Sequence, residues 1–260
     1  MGVLRKIVSS VIPAKYKGST MKLFQKILHN GLITVSGGAE EALFWAHAQA
    51  KLTPYTLIQG FLQGTFPMPQ VDNNDIFIWF DPDPRGIIPV ADFKIRKELL
   101  TFLKKNRLQE AHKRFEVKLN TNFEQTVRNC ATPRGDKTTT WITPEYMKVM
   151  LELHEMGIAH SVETYQNDKL IGGAFGVSLN GYFVSLSVFR TIDNAGKVAI
   201  CYLLNKLKED GFKLHISGAA DSWLTQFGAV NISKEDFKKE LIKAITSPII
   251  FSPQIPELTI

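Results

Sequence analysis

The chain has 260 residues, 44% of them hydrophobic and 22% charged, with a formal net charge of +6. That length suits one large or two intimate domains and buries a core without a metal or disulfide staple, while seventeen Phe and four Trp exclude a disordered chain. No run approaches the roughly 20 apolar residues of a membrane span, and Pro13, Lys15 and Lys17 interrupt any signal-like segment after Arg5 and Lys6, so a cytoplasmic protein without stable membrane association is expected.

Charge is unevenly divided. Residues 1–140 carry 20 Lys/Arg against 12 Asp/Glu, and residues 141–260 carry 11 against 13. One basic stretch runs from Arg5 to Lys26 and another from Lys94 to Lys118. Such asymmetry suits a phosphate backbone, an anionic membrane surface or an ordinary solvated face. Cys130 and Cys201 belong to no ligand-spaced cluster; two buried thiols are the simplest reading, with a disulfide left open.

In chain order, Lys22–His29 is a short helix candidate, stopped by Asn30-Gly31. Ala39–Lys51 is a second, with Glu40 and Glu41 in its first turn, where acids favour the helix dipole. Thr53-Pro54 reads as an N-cap with proline at N1, leading into Leu57, Ile58, Phe61 and Leu62 at helical spacing. Ile76–Phe80 is a strand candidate. Asp81-Pro82-Asp83-Pro84-Arg85-Gly86 does not continue it as a regular central strand, because proline lacks a donor and restricts its predecessor. Arg96–Lys105 and Phe123–Cys130 read as helices and Phe115–Leu119 as a strand; Thr132–Thr140 is polar and turn-rich.

From Trp141 the pattern becomes α/β. Thr143-Pro144 opens a helix that Gly157 ends. Strands are expected at Ala159–Gln166, Leu170–Ser178 and Tyr182–Phe189, the last two joined through Asn180-Gly181. A long helix over Asn194–Glu209, a strand over Lys213–Ser217 and a short helix over Ser222–Gly228 follow. Ser233 caps a terminal helix, and the proline-containing tail wraps the domain. One helix, several strands, a longer helix and a further strand suggest an acyltransferase-like α/β domain.

No nucleotide fingerprint is present. Gly172-Gly173-Ala174-Phe175-Gly176 sits in a strand context, so close strand packing or direct substrate contact are its readings. His160 and Glu163, three apart on a strand, point to opposite faces, which argues against a shared metal site. Asp81, Asp83 and Arg85 read as loop fixation, with Arg85 available to a phosphate or carboxylate. Trp79, Phe80 and Trp141 serve either core packing or stacking on a nucleobase.

Taken together, the ordered blocks resemble the leucyl/phenylalanyl-tRNA–protein transferases. They are Asn30-Gly31-Leu32-Ile33, Gly37-Gly38, Gln63-Gly64-Thr65-Phe66-Pro67, Trp79 to Arg85, Thr140-Trp141-Ile142-Thr143, Leu153 to Glu163, Asn194 to Lys197 and Phe227-Gly228-Ala229. Ala39–Lys51 looks like an insertion. The resemblance implies transfer of an amino acid from aminoacyl-tRNA to a protein or peptide amino terminus, as in the bacterial N-degron pathway, with no cofactor and no metal. It implies an α+β fold: a basic extension (1–29), a small amino-terminal domain (30–92), a GNAT-like acyltransferase domain (93–245) and a wrapping segment (246–260). Trp79, Arg85 and Trp141 would bind the tRNA 3′ end.

The family's Asp-x-Gln signature fails here, because Ile216 and Gly218 occupy its positions, and neither side chain transfers a proton or donates a hydrogen bond. His215, Ser217, Asp221 and Glu163 are the remaining catalytic candidates. The amino-acid pocket implied by the resemblance involves Ala174, Phe183, Leu186, Val188, Arg190, Leu203, Leu207 and His215. Ala174 and Val188 replace methionines, Leu186 replaces an acid, and His215 stands at a normally apolar position, so an altered side-chain specificity is expected. The competing expectation is a catalytically inactive relative that binds charged tRNA or protein.

Overall fold

The computed structural model describes residues 52–70, 73–133, 135, 139–218 and 220–258. The helices expected at Lys22–His29 and Ala39–Lys51, and the motif blocks before residue 52, lie outside them. The first described helix, α1 (Pro54–Leu62), starts where the sequence predicts: Thr53 accepts from the Thr56 N–H, the Thr56 hydroxyl answers the Thr53 N–H, and Pro54 occupies N1.

A two-stranded antiparallel ribbon follows, β1 (Phe66–Gln70) with β2 (Asn73–Phe80). Strand β1 escapes sequence reasoning because Pro67 and Pro69 fall inside it. A ribbon tolerates them, since each of its strands has an outer side on which no donor is needed. Pro67 faces Trp79 and Met68 faces Ile78 in the register. A Cβ at Gly60 would overlap the Trp79 ring, so the missing side chain lets the ribbon lie against α1.

The remaining strands form one mixed sheet, in the order β4 (Phe115–Leu119), β5 (Ala159–Gln166), β6 (Lys169–Leu179), β7 (Tyr182–Arg190), β8 (Leu214–Ile216), β3 (Arg85–Ile87), β9 (Val230–Ile232). Only β7 and β8 pair in parallel, and α5 (Ala195–Glu209) connects them. The proline-rich turn does end β2, but the chain re-enters a strand at Arg85, between β8 and β9. The sequence does not predict β9, because three half-exposed or exposed residues after a glycine turn carry no periodicity. The helices α2 (Lys97–Arg107), α3 (Phe123–Cys130), α4 (Pro144–Glu155), α6 (Ser222–Thr225) and α7 (Lys234–Ile245) complete the element list. Across β4–β7 every expected strand is present within a residue or two.

The sheet separates two apolar cores. On one face, Tyr182, Val184, Leu214 and Ile216 meet α1, α3, α4 and α7. On the other, Ala174, Phe183 and Val162 meet α5 and α2, with Phe251 and Leu258 from the tail buried there too. Gly172 exists for this packing: a Cβ there would strike Ala195 at 2.6 Å, so close approach of α5 explains this glycine, whereas Gly176 makes room for Phe183. Both cysteines are buried, and burial pushes the Cys201 thiol up to about 12. Among the described residues no helix is long and apolar enough to cross a membrane, and no cluster of acids, histidines or cysteines is arranged to hold a metal.

Candidate active-site cavity

A cavity of about 200 Å³ opens between the ribbon, the first half of β7 and the end of β8. Phe66 and Met68 line one side, Trp141 and Tyr146 another, and Leu186, Ile216, Ser217 and Gly218 the rear. Local structure explains each placement. Thr143 caps α4 by accepting from the Tyr146 N–H at 3.2 Å, and the Trp141 and Tyr146 rings meet edge-to-face at 4.9 Å between centroids. Leu186 is the extra residue of a bulge, since Phe175 pairs with Ser187 and Gly176 with Ser185; the bulge re-aims this stretch of β7 at the cavity rim. Phe66, Pro67 and Met68 all reach the cavity from β1, the strand that its prolines hide.

The structure therefore sorts the sequence candidates. Trp141 lines the cavity, whereas Trp79 is packed on α1 and is not among its walls. Arg85 is 1% exposed. It donates to the Gly64 carbonyl, pairs with Asp81 and lies 4.9 Å from the centroid of the Phe237 ring. Asp81 also pairs with Lys234, and Asp83 accepts from the Lys234 N–H at 3.1 Å. The whole proline-rich motif fastens the ribbon side to the start of α7; it is a structural clamp, and Arg85 is not available to an external phosphate.

Glu163 is likewise enclosed. It accepts from the Thr121 N–H at 3.1 Å, the Asn122 N–H at 3.2 Å and the Ser161 hydroxyl at 2.5 Å, and so holds the turn that opens α3. Burial raises its carboxyl above the ordinary range, against the opposing effect of those bonds and of Lys118. His160 belongs to a separate network, with Asn120 at 3.1 Å, Ser178 at 3.1 Å and the Phe251 ring stacked on it. Asp221 caps α6, accepting from the Leu224 N–H at 2.7 Å.

His215 is 1% exposed and turned towards α5; its Nε2 lies 2.7 Å from the Ser185 hydroxyl, and burial pushes its pKa down to about 3. Ala174, Phe183, Leu203 and Leu207 are buried with it on that face, and Val188 packs against the same core. Leu186 alone of the expected amino-acid pocket lines the cavity. Arg190 is exposed, 3.7 Å from Asp193, beside a second cleft that includes Val188, Lys197 and Trp223. Ser217 is the one catalytic candidate on the cavity wall.

Tyr146, Phe66 and Met68 were the wall residues least visible in the sequence. Thr143-Pro144 already placed Tyr146 at the third helical position, but helical spacing alone does not separate a cavity wall from core. Among the described residues, no carboxylate, imidazole, ammonium or guanidinium group lines this cavity.

Residues 87–242 match the family model described as leucyl/phenylalanyl-tRNA protein transferase. A leucyl/phenylalanyl-tRNA–protein transferase of Rhodospirillum rubrum is 32% identical over 207 residues, 80% of this chain and 94% of that protein. Proteins of the same name from Caulobacter vibrioides and Herpetosiphon aurantiacus are each 34% identical, covering 74% and 77% of this chain and 85% and 98% of theirs. The chain thus belongs to the leucyl/phenylalanyl-tRNA–protein transferase family, with Ile216 and Gly218 on the wall of its cavity.

Proposed function

We propose that this chain transfers an amino acid from the 3′ end of an aminoacyl-tRNA to the amino terminus of a protein or peptide, with an altered side-chain specificity. The observation that carries this reading is the 32% identity, across 80% of the chain, to a relative of that name. The reactive end of the tRNA enters the cavity, where Trp141 offers an aromatic surface to the terminal adenosine. The excess of Lys and Arg in residues 1–140 supplies the electrostatic attraction for the rest of the nucleic acid.

In the reaction, the uncharged α-amine of the acceptor attacks the ester carbonyl. A carbon–nitrogen bond forms, the bond to the ribose oxygen breaks, and the proton lost by nitrogen ends on that oxygen. The ester is already activated, so alignment and oxyanion stabilisation suffice for large acceleration. With no charged side chain on the described walls, this chain works by positioning. The GNAT-like domain at 93–245 supplies β7, β8 and α4, and the small domain at 30–92 supplies the ribbon. Altered specificity rests on Leu186, the residue of the expected pocket that lines the cavity, where the resemblance implies an acid.

The test is a transfer assay with purified protein, tRNAs charged individually with labelled amino acids, and peptides of varied amino terminus. Labelled peptide from at least one pair is expected. A second reading, binding without turnover, is favoured by the uncharged walls; saturable binding of charged tRNA with no transfer from any pair would establish it.

A further inference from the structure

Burying a polar group without a hydrogen-bond partner is costly, so such groups are rare in a finished fold and mark places where a ligand completes the bonding. Several buried side-chain polar atoms lack a partner among the described residues, and two of the residues concerned, Tyr146 and Ser217, line the same cavity. Tyr146 is wholly buried and its hydroxyl has no partner. Its ring is held by Trp141 at 4.9 Å and Phe77 at 6.4 Å between centroids, and its backbone by the Thr143 cap. Ser217 carries a buried hydroxyl, also without a partner, on the residue between Ile216 and Gly218. Of the other wall hydroxyls, Ser185 is already engaged by His215 at 2.7 Å, and Thr65 donates to the Gly60 carbonyl at 2.9 Å.

The chemistry of the walls limits what these hydroxyls meet. A phosphate requires cations and an ammonium requires a carboxylate, and neither lines the cavity among the described residues. An uncharged acceptor oxygen in an apolar slot matches both. Burial also drives the Tyr146 pKa upwards, so its O–H remains a donor at any pH the protein tolerates.

We infer that Tyr146 and Ser217 donate hydrogen bonds to the carbonyl oxygen of the aminoacyl ester. This assignment rests on the proposed entry of the tRNA end into the cavity. The two hydroxyls hold the carbonyl and strengthen their bonds as negative charge develops on its oxygen during attack. They are positioned by α4 and by the end of β8, and they work at a site where Asp-x-Gln is missing.

The test compares wild type, Tyr146→Phe and Ser217→Ala for binding of two probes: adenosine, and 3′-aminoacylamino-adenosine, which keeps the carbonyl but is not cleaved as an ester. Each variant is expected to weaken the aminoacyl probe about threefold to tenfold, the usual effect of one uncharged hydrogen bond, and to leave adenosine unchanged. If the transfer assay shows turnover, kcat should fall more than KM rises. Ligand-free Tyr146→Phe should unfold at the wild-type temperature or above it, because no internal bond is lost. Equal weakening of both probes, no change in either, or a clear loss of thermal stability would overturn the assignment alone. Failure of wild type to bind either probe would overturn the reading of the cavity, and the assignment with it.

Discussion

The clamp around Arg85 and the cavity beside it treat buried polarity in opposite ways. At the clamp, a guanidinium that is 1% exposed meets a carboxylate and a carbonyl through its two terminal nitrogens, and its Nε is unmatched among the described residues. The same holds for Lys206, also 1% exposed, which reaches Asp210 at 2.9 Å, Ser252 at 2.7 Å and the Gln254 carbonyl at 2.7 Å. At the cavity, two buried hydroxyls have no hydrogen-bond partner among the described residues. The contrast teaches which polar residues belong to the architecture and which to the ligand. Charge in a transferase of nucleic acid is readily credited to substrate binding, yet here the most deeply placed charges tie chain segments together.

Asp81→Ala should expose that division most severely. It leaves Arg85 buried without its carboxylate and frees Lys234, and should cost about 3 kcal/mol in denaturant unfolding. The Gly64 carbonyl and the partial exposure of Asp81, 32%, keep the loss at the low end of the range for broken buried pairs. An unchanged midpoint would remove the clamp from the architecture.

Glu163→Gln separates a catalytic from a structural carboxyl. An amide oxygen cannot accept from Thr121, Asn122 and Ser161 together, and the amide nitrogen would face a donor. The expected loss is about 2 kcal/mol of stability, with remaining folded protein binding the aminoacyl probe normally. Weaker probe binding at unchanged stability would reverse the assignment.

Acid should act on the closed faces of the sheet and leave the cavity alone. Burial lowers both His160 and His215 to about 3, with His154 and Lys206 adding to the effect at His160. A histidine whose folded value lies below its unfolded value of about 6.5 contributes stability that is present above pH 6.5. That stability is lost as pH falls from 6.5 towards 3, at up to about 1.4 kcal/mol per pH unit for each residue. Unfolding free energy measured from pH 7 to 5 should fall accordingly, and His160→Asn should shallow the slope by about one proton. A flat profile would contradict neutral burial.

The smallest effect concerns rate. If positioning carries the reaction, kcat/KM should rise only with deprotonation of the acceptor amine, whose ordinary pKa is about 8, and show no separate limb near 6.5. A histidine limb there would bring an imidazole into proton transfer and blur the distinction between the two regions.

Legibility in the sequence followed the same boundary. Thr53-Pro54, Thr143-Pro144, Ser233 and Asn180-Gly181 marked their caps and turn correctly, because caps and tight turns are local chemistry. Strands β4–β7 were legible because each carries enough residues in the strand pattern. Strands β1 and β9 were not, since two prolines disguise one and three residues are too few for the other.

The amino-acid sequence alone determined the α+β character and the family blocks, and it supplied the expectation that Ile216 and Gly218 stand where the family carries Asp-x-Gln, since composition, caps and motif order are properties of neighbouring residues. Only the tertiary structure decided that Arg85 and Glu163 are tied inward and that Trp141 faces the cavity while Trp79 does not. It alone brought Tyr146 and Ser217, 71 positions apart, to one cavity. A side chain's partners across such a distance depend on sheet register and helix packing, which no local pattern encodes.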